Sequence, residues 1–318
     1  MITVISGGVG AARLLRGTAN VVPNDELVTI VNTGDDTVMH GLSISPDLDT
    51  VTYTVSNAID PERGWGLANE AWTTMEALAR FNDVRPAASR AGESWFGLGN
   101  RDLATHFYRT TRLAEGATLT EVTAEVTRAF GIGFRVLPMT NERVSTIVTL
   151  TDGTEVAFQE YFVKLRHDVP VKSIRFDGAA HATFLGWREL RESRAVIIAP
   201  SNPIVSIGPM RALAGFDEAL AARRDTVVAV SPIVAGAALK GPADRMLVEL
   251  GHEATVVGVA RLYAPIAGTL VIDNADAHLV PQVEAAGMKC VVANTIMKTP
   301  EVAAALTRTC LEAVNVPT

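Results

Sequence analysis

The chain has 318 residues, 48% of them hydrophobic, enough apolar material for a large core in one α/β domain or two smaller ones. A formal net charge of -7 excludes nonspecific nucleic-acid binding, which rests on clustered Lys and Arg, so any anionic ligand must be held by local groups. Cys290 and Cys310 are the only cysteines, too few for a disulfide framework and not a C-x-x-C pair, which fits a reducing cytoplasmic setting. Met1–Ser6 runs straight into Gly7-Gly8 without a basic n-region, so no signal peptide is expected, and no long uncharged apolar run is present to span a membrane.

Ile2-Thr3-Val4-Ile5, closed by Ser6-Gly7-Gly8-Val9-Gly10 and followed by the helix-forming Ala11–Arg16, predicts strand, glycine turn, helix. Glu26–Val31 predicts a second buried strand that stops at the polar cluster Asn32-Thr33-Gly34-Asp35-Asp36. Asp47–Pro61 is rich in Thr, Val and Tyr, and Asp47 and Asp49 are expected in a loop. Helices are predicted over Asn69 to about Arg80, Arg101–Glu115, and Leu119–Phe130 with Thr118 as its cap.

From Arg135 the pattern becomes Thr/Val-rich, and Asp152-Gly153 between two such runs signals a β-hairpin. Strand grammar resumes at Arg194–Ala199 and Thr226–Val230, and the short apolar runs Ala254–Val259, Gly268–Ile272 and Cys290–Ala293 read as further strands. Strands alternating with helices imply an α/β fold, a Rossmann-like, doubly wound, mostly parallel sheet. The expected organisation is a first part of the core over 1–134, a small β-rich insertion over 135–183, and a second part of the core over 184–318.

Ligands of an open parallel sheet gather outside the carboxyl ends of its strands, which selects three loops. Gly7-Gly8-Val9-Gly10 would let backbone N–H groups and a helix N-terminus approach an anion, with Arg13 within reach, although such glycines equally serve tight strand–helix packing. Asp35, Asp36, Asp47 and Asp49 put four carboxylates at the same edge, suiting a divalent cation such as Mg²⁺ or, one by one, turns and caps. Ser201–Pro209 mixes hydroxyls, an amide and glycine, a composition for a phosphate nest, a base edge or a plain turn. No histidine pairing favours zinc; His40 and His106 are placed near the cleft. There is no Walker lysine and no nucleophile elbow.

Taken together, Ser6–Gly10, Asn32–Asp36, Pro46–Thr50, Leu98–His106 and Ser201–Pro209, with Arg63–Gly66, Phe158–Glu160 and Val230–Ile233, resemble the 2-phospho-L-lactate transferase family over nearly the whole chain. That resemblance implies a homodimeric, Rossmann-like enzyme of coenzyme F-420 synthesis that transfers a substituted phosphate group. Its donor is the guanosine diphosphate ester of a phospho-carboxylic acid: phospholactate, phosphoenolpyruvate or 3-phosphoglycerate. Its acceptor is the deazaflavin Fo (7,8-didemethyl-8-hydroxy-5-deazariboflavin), and GMP is released.

Carried onto this sequence, the resemblance places the guanosine diphosphate against Gly7, Gly8, Gly10, Arg13, Ser201, Asn202, Pro203, Ser206 and Gly208. Asp49, Gly97 and Arg101 would face Fo. Asp35, Asp36 and Asp49 become the Mg²⁺-side carboxylates, and Asp36, Asp49 and Asp102 the catalytic ones. Asn100 stands where the family often has Asp, so a carboxylate needed there falls to Asp102. A nucleotide-dependent oxidoreductase is disfavoured, because the ribose-binding acid would fall near Glu26, before the second strand. A nucleotide-binding regulator remains the non-enzymatic alternative.

Overall fold

In the computed structural model, which describes residues 1–317, the β-branched N-terminal run forms strand β1 (Ile2–Ser6), buried along its whole length. Six further strands lie parallel to it in one sheet: β2 (Leu27–Val31), β3 (Arg135–Pro138), β4 (Ala195–Ile198), β5 (Val227–Val230), β6 (Thr269–Asp273) and β7 (Lys289–Ala293). Across the sheet the order is β7-β6-β5-β4-β1-β2-β3. Near-continuous Val and Ile runs fit a sheet covered on both faces. Ile5, Ile30 and Ile198 join one core cluster, and Val4, Val31 and Ile197 join the other.

The order reverses between β1 and β4, the switch point at which such sheets hold ligands. Ile5 pairs with Ile30 on one side and Ile198 on the other, so the loops after β1, β2 and β4 leave the sheet at one level.

Helix α1 (Gly8–Thr18) follows the glycine turn and crosses the helix Pro300–Ala313 closely. Gly17 permits that crossing, since a Cβ there would lie 2.4 Å from the backbone carbonyl carbon of Ala303. The Thr/Val/Tyr-rich stretch becomes helix α2 (Pro46–Val55) despite its β-branched composition. Pro46 presets φ at the first turn, Asp47 and Asp49 favour the positive end of the helix dipole, and Thr52 Oγ1 donates to Leu48 O at 2.7 Å. Helix α3 (Thr73–Ala79) starts later than the expected Asn69, which sits in the left-handed region at φ 56°. Helices α4 (Asp102–Ala114) and α5 (Leu119–Ala129) fall where the sequence puts them, α5 with a full capping box of Thr118 and Glu121.

The hairpin at Asp152-Gly153 forms between antiparallel strands Ser145–Leu150 and Glu155–Ala157, with Val171–Asp177 pairing on the other side. Arg135–Pro138, expected within the insertion, instead pairs with β2 as the edge strand of the main sheet and stops at its proline. Ala254–Val259 is not a strand: Thr255 accepts from Gly258 N at 3.2 Å and caps the helix Val256–Tyr263. A short apolar run buried on every side has no periodicity to tell helix from strand. No helix among the described residues is long and apolar enough to cross a membrane.

Because the contact at Gly17 is with backbone, which cannot swing aside, Gly17→Ala should destabilise the protein by about 1–3 kcal/mol. Urea unfolding checks this, and an unchanged midpoint would mean that the two helices separate freely.

Candidate active site

At the switch point Gly7 N–H donates to Ser201 Oγ at 3.1 Å, tying the loop after β1 to the loop after β4. A Cβ on Gly7 would sit 2.6 Å from Ser206 Cβ, and one on Gly10 would sit 2.3 Å from Pro200 O. These two glycines are therefore demanded by close packing. Gly8 differs: its φ of 73° favours glycine, yet its surroundings are open, with Asp47 Oδ1 the nearest group at 3.7 Å. Its bare backbone opens α1, and its N–H already steadies the Asp47 carboxylate against the rise that burial imposes.

Asn202 shapes the opposite loop. Its Oδ1 accepts from Ile204 N at 2.9 Å, and its carbonyl accepts from Ser206 N at 3.0 Å and Ile207 N at 3.1 Å. Pro203 is buried within this loop, and Gly208 lies under Phe176, a residue of the strand Val171–Asp177. Arg13 projects outward from α1 toward Lys240, whose ammonium is pushed below its usual range by burial and by that neighbouring charge.

The acids gather against the glycine turn. Asn32 Nδ2 donates to both Asp35 Oδ1 at 2.8 Å and Asp47 Oδ2 at 2.9 Å, and Gln159 Nε2 donates to Asp35 Oδ2 at 3.0 Å. Ser45 Oγ donates to Asp36 Oδ2 at 2.6 Å, while Asp36 Oδ1 is out of solvent with no hydrogen-bond partner. Burial raises the Asp36 carboxyl to about 8 and that of Asp47 to about 6. Burial, with the charges of Asp47 and Asp36, raises Asp35 well above the usual carboxylate range. Asp36 also lines a cavity of about 170 Å³ with Thr33, Ser43, Ser45 and Asn141.

Asp47 and Asp49, expected in a loop, lie instead in the first turn of α2, where both are buried. Asp49 is gripped through both oxygens by Arg109 of α4, with Nη1 to Oδ2 at 3.1 Å and Nη2 on Oδ1. His106 completes the group: its Nδ1 is 3.8 Å from Asp49 Oδ2 and its Nε2 is 3.3 Å from Asp102 Oδ2. Tyr53 Oη donates to Asp102 Oδ1 at 2.5 Å. Burial alone would raise Asp102, but His106, Tyr53 and Arg109 together hold it below its ordinary value. Asp49, Asp102 and His106 offer ligand atoms within 4.8 Å of one another, a group that could hold a metal ion.

Gly97 and Arg101 stand on a separate wall. A Cβ on Gly97 would come within 3.2 Å of Trp65 and 3.3 Å of Trp72, and Arg63 lies over both indole rings. Glu70 caps α4 by accepting from Arg101 N and Asp102 N, each at 2.8 Å. Asn100 joins α3 to this wall, since its Oδ1 accepts from Thr74 N at 3.2 Å.

A family model, 2-phospho-L-lactate transferase CofD, matches residues 2–309. The chain belongs to the 2-phospho-L-lactate transferase CofD family. Relatives of this CofD chain include a phosphoenolpyruvate transferase of Kitasatospora aureofaciens, 43% identical over 98% of this chain and 96% of that one. Another phosphoenolpyruvate transferase, from Mycolicibacterium smegmatis, is 40% identical over 99% of both chains. Among solved structures, a UPF0052 family member from Bacillus halodurans superimposes with a TM-score of 0.59 at 15% identity, over 98% of both chains, a likeness of fold.

The residues that sequence reading passed over in this CofD chain are Arg109 and Tyr53, and the pairing of His106 with acids. Asp102, His106 and Arg109 recur at i, i+4 and i+7 and face Asp49 and Tyr53 at i and i+4, a ladder of charge between two helices that the spacing alone could have suggested.

A carboxyl whose folded pKa exceeds its unfolded value binds more protons when folded, so its contribution to stability falls as pH rises through that window. For Asp36 the window runs from the ordinary carboxylate value of 3.8 to about 8. Metal-free wild type should therefore lose more Tm between pH 5 and pH 8 than Asp36→Asn, which removes the ionisation. Parallel Tm–pH curves from calorimetry would contradict the burial of this carboxyl.

Proposed function

We propose that this chain transfers a phosphoenolpyruvate group from its guanosine diphosphate ester to the ribityl hydroxyl of Fo, releasing GMP in coenzyme F-420 synthesis. The observation that carries the reading is the near-full-length likeness to relatives named phosphoenolpyruvate transferase, at 43% and 40% identity. The site geometry supports it. Gly8 and the N-terminus of α1 suit the diphosphate, with Ser201 and Ser206 across from it. The Trp65–Trp72 pair, edge to face at 5.8 Å beside Gly97 and with Arg63 over both rings, offers aromatic surface and a cation near which a deazaflavin could pack. Action as a homodimer belongs to the same reading.

In the reaction the ribityl oxygen forms a bond to the phosphorus that carries the enolpyruvyl group. The bond from that phosphorus to the bridging oxygen breaks, and GMP leaves with the electron pair. The hydroxyl proton passes to a carboxylate of the site, drawn from Asp36, Asp49 and Asp102. Such a transfer depends on positioning and charge neutralisation more than on covalent help.

The residues present fit a hard divalent cation. Asp35, Asp36 and Asp49 provide oxygen donors, Asp36 Oδ1 is buried without a partner, and Asp35 and Asp36 are both raised by burial, so a cation beside them would favour their ionised forms. Mg²⁺ bound there would neutralise the charge of the diphosphate. Asp36 would be its principal contact, with Asp49 beside it and Asp35 held back by Asn32 and Gln159.

The test is mass spectrometry of the product formed from Fo and the guanosine diphosphate esters of phosphoenolpyruvate, phospholactate and 3-phosphoglycerate. The phosphoenolpyruvate adduct should form fastest, EDTA should abolish it, Mg²⁺ should restore it, and Asp36→Ala should raise the Mg²⁺ concentration for half-maximal rate. Transfer from none of the three donors, or full activity after rigorous chelation, would sink this reading.

A further inference from the structure

Arg109 is one of the most enclosed charged side chains of the site, 3% exposed, and it sits on α4 rather than in any loop at the sheet edge. Its guanidinium spans both oxygens of Asp49, and its Nη1 also lies 3.4 Å from Ser43 O and 3.3 Å from His106 Nδ1. That fork fixes the plane of one carboxylate, which a lone ammonium could not do. Behind it, Asp102 is fixed by Tyr53 and the backbone N–H bond to Glu70, so the group sits on two helices already locked in place.

Burying a guanidinium costs heavily unless its charge is used, and here the charge serves two acids. Asp49 holds it directly, and Asp36 feels it as a lowering influence. Arg109 thus links the helix pair α2 and α4 to the loop that follows β2.

We propose that Arg109 is a positioning residue of the transfer reaction, fixing the plane of the Asp49 carboxylate so that its remaining lone pairs face the site. The inference rests on the transferase reading. With its donors spent on Asp49, Ser43 O and the His106 ring, Arg109 would act through Asp49 and not on donor or acceptor directly.

The test is Arg109→Lys, which keeps the charge and loses the fork. Turnover should fall about tenfold to a hundredfold, the scale for a misplaced group, while the donor KM shifts less than about threefold. Binding of Mn²⁺ to the substrate-free protein, read by electron paramagnetic resonance, should weaken. Asp49→Asn with Arg109→Lys should lose no more activity than Asp49→Asn alone, because the arginine then has nothing to position. Wild-type turnover with unchanged Mn²⁺ affinity in a folded R109K, or additive losses in the double variant, would overturn the proposal. If R109K does not fold, Arg109→Ala with added ethylguanidinium replaces it: recovered turnover supports the positioning role, and a folded R109A with undiminished turnover before addition refutes it. Absence of transfer by the wild type would instead strike the functional reading.

Discussion

Negative charge packed against a glycine turn is the constraint on which the rest of this structure depends. Asp35, Asp36, Asp47 and Asp49 converge where α1 and α2 begin, and each must be compensated or protonated to remain buried. Asn32 spans two of them with one amide, Gln159 reaches in from the insertion, Ser45 holds a third, and Arg109 clasps the fourth. The compensation is incomplete. Asp36 and Asp47 are raised, and one Asp36 oxygen is left without a partner, which is what supports the proposed placing of a cation there.

The Rossmann-like sheet sets the place for this charge, and elements outside the sheet supply the partners. Only at the β1/β4 reversal can loops after β1, β2 and β4 lie side by side, with Gly7 bonded to Ser201. Pro209 of the last loop packs where a Cβ on Gly34 would be, 2.6 Å away, so the carboxylate loop and the Ser201–Pro209 loop share one surface. The insertion is joined to the same loop through Thr146 N and Gly34 O at 2.6 Å. Its strand and its Gln159 therefore bear directly on Asp35, which gives the insertion a part in the site rather than beside it.

Much of the frame was legible in the sequence because its signals are local. Glycine after a β-branched run, Asp-Gly between two such runs, and Thr118 three residues before Glu121 each determine their own neighbourhood. Helix α2 and the helix Val256–Tyr263 were less legible, since Pro46 and the Thr255 cap outweigh a composition that favours strands. Asp35 and Asp36 follow strand β2 as the sequence suggests, but Asp47 and Asp49 open helix α2 instead of a loop, and their burial depends on packing. The Asp49–Arg109 pair joins residues sixty apart: the spacing in each stretch marks a polar helix face, but which face meets which depends on packing.

A structure of the protein with GDP and Mg²⁺ tests the central claim most directly. The account predicts the diphosphate over the Gly8 backbone and the Ser201–Gly208 loop, with the cation against Asp36. It would be contradicted by nucleotide in the larger cavity of about 430 Å³ beside Thr255, Arg261 and Gln282, or by a cation bound away from the aspartates.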